Sequence, residues 1–240
     1  MNDEKQRAEE ISVNNNKFLA WLDNYWYHYK WHTIIAAFAV IVFSICIIQA
    51  CTNKRTDVLV TYAGPVYLQA DQKISMESAL NKGIGSNEED NKIIVGFTSY
   101  YVLTVEQIQE IEKQTDSDGY QKYVDTAFNG QEMDSFEAQL MSGNGSIILI
   151  DKDMYLMFFK NGSTERLQPL SDVLGETPAN AVDAYAVRLG DTEVYQNSPD
   201  LQRLPEDTLV CLHKKLGQKD YDKQIETFKK LTQVAKDGGN

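Results

Sequence analysis

Residues that could do chemistry are sparse in this chain, and their spacing decides little. His28 and His32 sit four apart, close enough to share one helical face, but no third ligand type stands at a sensible distance. Asp116, Asp118, Gly119 and Asp125 invite comparison with a calcium loop. That comparison fails at Gln114, where an acid is needed, and a solvated turn fits better. Cys211 and His213 make a poor nucleophile–base pair, and the histidines are split between residues 28–32 and position 213. There is no GxSxG, HExxH, GxxxxGK[ST] or dinucleotide fingerprint, and the Gly83/Gly85 and Gly143/Gly145 pairs are only GxG. The many carboxylates read as an acidic surface rather than a hydrolytic pair. The expectation is a protein that is not an enzyme, with no metal site and no cofactor.

The element that must position everything else is an apolar run, Thr33 to Cys51. Its 19 residues carry no charge. At helical rise it extends ~28 Å, close to the ~30 Å hydrocarbon core of a bilayer. It is apolar all round, which predicts a single transmembrane helix over 33–51. Residues 1–16 are polar and read as disordered or weakly helical. Residues 17–32 carry Phe18, Trp21, Leu22, Tyr25, Trp26 and Tyr29 at spacings of three and four, and all three tryptophans of the chain. That pattern predicts an aromatic helix at the membrane interface. A second reading stays open at the end of the run. Ile48-Gln49-Ala50-Cys51 resembles a lipobox, which would make Cys51 a lipidation site. Gln49 is unusual there, and the preceding region is long and acid-bearing for a signal peptide. Flanking charge does not orient the span, since Lys17 and Lys30 balance Lys54 and Arg55.

Residues 52–57 form a short linker and 58–240 a single acidic domain. From residue 56 onward there are 17 Lys/Arg against 30 Asp/Glu, whereas residues 1–55 are nearly neutral. Such a domain repels phosphate backbones, so nucleic acid is excluded as a partner. Three cysteines at unrelated spacings exclude a disulfide framework.

Within the domain, 58–63, 93–103, 146–150 and 209–213 read as strands, and 186–189 with 193–196 as a short hairpin. Helical patterns occupy 66–82, a stretch from the Thr104–Gln107 capping box, 120–141, the region after Asp151, a short segment inside 167–175, and a closing helix from about Asp220. Apolar strands without alternation, separated by helices, predict an α/β fold: a mainly parallel sheet with helices on both faces. Ligands of such sheets sit at the strands' carboxyl ends. That placement makes Tyr67, Ser99, Tyr100 and Asp151 the candidate ligand-binding residues.

The segment GSIILIDKDMYLMFFKNGSTERLQPLSDVLG, with the opening DVLVTYAGP, resembles the core of bacterial extracellular solute-binding proteins over roughly residues 56–175. The aromatic leader, YKWHTII, LGETPANAVDAYAVRLGDT and LPEDTLVCL are also similar to uncharacterised single-span proteins of Gram-positive anaerobes. The resemblance implies one lobe of a periplasmic-binding-protein-like fold, with the domain outside the cytoplasm of a cell membrane. A solute-binding protein closes two lobes on its ligand, and about 185 residues are few for two. Two functional expectations follow. One is a tethered, non-catalytic binding or interaction module whose partners are the bilayer and another membrane or envelope protein. The other is a true receptor delivering a small solute to a transporter.

Overall fold

The computed structural model describes residues 2–52, 56–84, 93–143, 146–160, 164–214 and 220–235. Contacts divide the chain into two compact units, Met1–Lys54 and Arg55–Asn240.

The first unit is one helix, α1, Asn2–Thr52. Within it Leu19–Ile48 is long and apolar enough to cross a membrane. The composition changes at residues 16 and 32 leave no break in this backbone. Its side chains are almost all exposed from Leu19 to Ile48. Trp21, Tyr25 and Tyr29 stack in a column at i, i+4 spacing, with ring centroids 5.7 and 5.3 Å apart. Two hydroxyls in the apolar part are satisfied within the helix. Thr33 Oγ1 donates to Tyr29 O at 3.0 Å and Ser44 Oγ to Val40 O at 2.8 Å. The side chain of Cys51 lies outside the described residues.

The second unit is a three-layer α/β domain. Its elements are β1 Val58–Gly64, α2 Ala70–Ile84, β2 Val95–Tyr101, α3 Val105–Glu112, α4 Thr126–Ser142, β3 Ile147–Ile150, α5 Lys152–Tyr155, α6 Leu170–Leu174, β4 Ala186–Arg188, α7 Glu193–Gln196, β5 Leu209–Leu212 and α8 Tyr221–Leu231. The sheet order is β2-β1-β3-β5-β4. β1 pairs parallel with β2 and β3, while β5 runs antiparallel to β3 and β4. β4 therefore points the same way as β1, β2 and β3, and only β5 is reversed.

Strand period two divides the core between the faces. Val58, Val60, Tyr62, Ile147, Leu149, Val210 and Leu212 meet α2, α6 and α8 on one side. Ala63, Ile148, Ile150, Leu209 and Cys211 meet α4 and α5 on the other. Both faces are apolar because both are covered, which is why the strands lack alternation in sequence.

Three local expectations are corrected. Glu193–Gln196 is helix α7, not a strand. Thr192 caps it by accepting from Tyr195 N, a cap that outweighs the β-leaning composition of Val194-Tyr195. The stretch 120–125 is not helical. Thr115 bridges Gln121, and α4 begins only where Asp125 caps it. After β1 the chain takes no regular form from Val66 to Gln69, so α2 starts at Ala70 rather than Val66.

Candidate functional site

The carboxyl ends of β1, β2 and β3 lie along one edge of the sheet. Tight packing there begins at Gly64. A Cβ on that residue would stand 2.6 Å from the Tyr62 hydroxyl and 3.0 Å from Asp151 Cβ. The Tyr62 hydroxyl is buried and accepts from Val66 N at 3.3 Å. Burial and the nearby Asp151 raise its pKa well above the ordinary phenol value.

Asp151 follows β3 directly, and its amide donates to Ala63 O at 2.9 Å. One carboxylate oxygen, Oδ1, accepts from Asp153 N, Met154 N and Gln107 Nε2 at 3.0, 3.3 and 3.1 Å. Burial pushes this carboxyl above its ordinary value, against the lowering effect of those bonds. Asp151 thus caps α5 and ties it to α3. Gln107 completes the expected capping box as well, its Oε1 accepting from Thr104 N.

The other three candidates share this edge but not one side of it. Tyr67 is exposed, and its ring meets Tyr101 edge-on at 6.0 Å. Ser99 is buried on the α2 side with Phe97, where Lys73 Nζ donates to its carbonyl at 3.4 Å. Tyr100 projects to the opposite face and packs on Phe136 of α4, with ring centroids 5.8 Å apart. The edge offers aromatic surface near Tyr67, while Ser99, Tyr100 and Asp151 are engaged by the fold.

Two openings lie beyond the sequence candidates. A recess of about 300 Å³ is lined by Tyr101, Ile111, Tyr123 and Phe128 together with Lys122 and Asp125. Tyr123 is 81% exposed. The signal for it was present in the sequence as aromatics at 101, 123 and 128, but residues so far apart come together only when the domain folds. A half-open groove of about 740 Å³ runs between α2, α7 and α8, with Ser78, Lys82, Glu193, Asn197 and Lys230 among its walls. It depends on α7 being a helix, which the sequence reading missed.

Among the described residues no cluster of three His, Cys, Asp or Glu is placed to hold a metal. In the 114–121 loop, Asp116 Oδ1 accepts from Asp118 N and Tyr120 N at 3.0 and 2.8 Å, a self-satisfied turn. Cys211 is wholly buried on the α4 side, and burial raises its thiol well above the ordinary value. His213 lies just past β5. Its Nδ1 meets Lys214 O at 2.9 Å, while its buried Nε2 and the buried Ser146 Oγ have no hydrogen-bond partner among the described residues. Burial lowers the His213 pKa, the contact with Lys214 O opposes this, and Arg166 adds to the lowering.

No protein-family model, curated protein or solved structure matches this chain.

Proposed function

We propose that this chain is a membrane-tethered binding or interaction module. In this reading α1 is the anchor, and the α/β domain stands outside the cytoplasm as a reduced, non-catalytic relative of solute-binding proteins. The observation that carries it is the state of the strand-carboxyl edge. Its buried polar groups, the Asp151 carboxylate and the Tyr62 hydroxyl, hold the fold together through internal hydrogen bonds. What remains open is contact surface rather than a poised nucleophile or base. A helix long and apolar enough to span a bilayer supports the tether.

A second reading, a receptor for a small solute, draws support from the aromatic recess beside Tyr101 and Tyr123. Its volume suits a small ligand better than a macromolecular partner. A thermal-shift panel of sugars, amino acids and short peptides on the full chain in detergent separates the two. The interaction-module reading predicts no stabilisation by any of them. A saturable shift with one solute, lost on Tyr123→Ala, would replace it with the receptor reading.

A further inference from the structure

Strand β2 forms one edge of the sheet and is seven residues long. Its sequence, VGFTSYY, is rich in β-formers and holds neither a charge nor a proline. Edge strands of that kind template pairing with other chains unless something blunts them. The opposite edge, β4, has three residues and is bridged by the chain's own Ala181–Val187 pair. β2 has no such device within itself.

Several of its outward backbone groups are instead met by side chains. Val95 N donates to Asn81 Oδ1 at 2.9 Å and Asn81 Nδ2 donates to Val95 O at 2.6 Å, so a primary amide stands where a neighbouring peptide would be. Phe97 N donates to Glu77 Oε2 at 3.4 Å, and Ser99 O accepts from Lys73 Nζ at 3.4 Å. Tyr101 N donates to Glu132 Oε2 at 3.1 Å. Residues 95, 97, 99 and 101 are the alternate positions that face away from β1 in a parallel ladder. Lys73, Glu77 and Asn81 form one i, i+4 row on α2, beside the row Met76, Leu80 and Ile84 that packs on the sheet. One helix thus buries an apolar row and lays a polar row along the strand edge.

We propose that Lys73, Glu77, Asn81 and Glu132 act as a side-chain substitute for a sixth strand, keeping this edge from pairing with β2 of a second copy. Copies held in one membrane plane meet at high effective concentration, which gives the shield its purpose. That purpose rests on the tethered reading, whereas the shield itself does not.

The test uses the full chain in detergent, as wild type, Glu77→Ala/Asn81→Ala and Glu77→Gln, with a fluorescent peptide of the β2 sequence as probe. Wild type and Glu77→Gln, which keeps the acceptor, should stay monomeric and ignore the peptide. The double variant should self-associate and bind the peptide about tenfold more tightly than wild type, the equivalent of one or two net hydrogen bonds. Because α1 is common to all, only differences from wild type count. Should the double variant fail to fold, Glu77→Ala alone, which loses only a 3.4 Å bond, is read with the same peptide. A folded variant that stays monomeric and rejects the peptide would overturn the proposal, as would a wild-type chain that binds it equally well. Neither result bears on where the domain sits relative to the membrane.

Discussion

Gln107 Nε2 donates to Asp151 Oδ1 at 3.1 Å across 44 positions of sequence, while Gln107 Oε1 accepts from Thr104 N. One side-chain amide therefore closes the N-terminus of α3 and locks it to the N-terminus of α5 at the end of β3. All the described hydrogen bonds to the Asp151 side chain fall on that single oxygen. Asp151→Asn keeps the oxygen and removes a charge that burial disfavours, so unfolding stability should hold or rise. Asp151→Ala deletes the cap and should cost about 0.5–2 kcal/mol. Pulse proteolysis in urea reads both; equal losses in the two variants would show that the charge, not the acceptor, matters.

Gly64→Ala should destabilise by about 1–3 kcal/mol through overpacking. The added Cβ meets the Tyr62 hydroxyl oxygen at 2.6 Å. In a Tyr62→Phe background that oxygen is gone, and the cost of Gly64→Ala should fall. The difference is measurable as a coupling in a double-mutant cycle.

The α/β class, the four longer strands and the Thr104–Gln107 capping box were legible because each rests on local residue types. Buried strands announce themselves as apolar runs, such as Ile147–Ile150. The reversal of β5 was not legible, because a strand buried on both faces carries the same composition in either direction. Helix α7 was missed because one capped turn, Thr192–Tyr195, looks like a β-branched and aromatic strand fragment. The candidate edge followed from the general rule for parallel sheets, and Asp151 does sit there. Its engagement by Gln107 could not be read, since nothing local links positions 107 and 151.

Two side chains should shape the pH dependence of stability. The His213 pKa is lowered in the folded protein. The unfolded chain therefore takes up a proton first, and stability should decline as pH falls from about 6.5 through the folded value. His213→Gln should flatten that part of the curve. For Asp57, burial acts to raise the carboxyl, but the Lys223 ammonium at 2.7 Å and the Ile94 amide outweigh it and hold the pKa below its ordinary value. Its contribution is complete above about 3.9 and is lost as pH drops through the lower folded value. Asp57→Asn should lower stability at every pH above about 3.9 and flatten the acidic part of the curve. Denaturation midpoints across the pH range check both.

Tyr123→Ala should change stability by less than about 0.5 kcal/mol, because the side chain is 81% exposed. A larger loss would mean that the recess is part of the core rather than an open contact surface.

The tether is tested most directly by protease treatment of intact cells, followed by mass analysis of what stays in the membrane. Protease should remove the α/β domain from outside and leave a membrane-bound fragment containing Leu19–Ile48. A domain protected in intact cells and cut only after lysis, or a chain recovered in the soluble fraction, would contradict it.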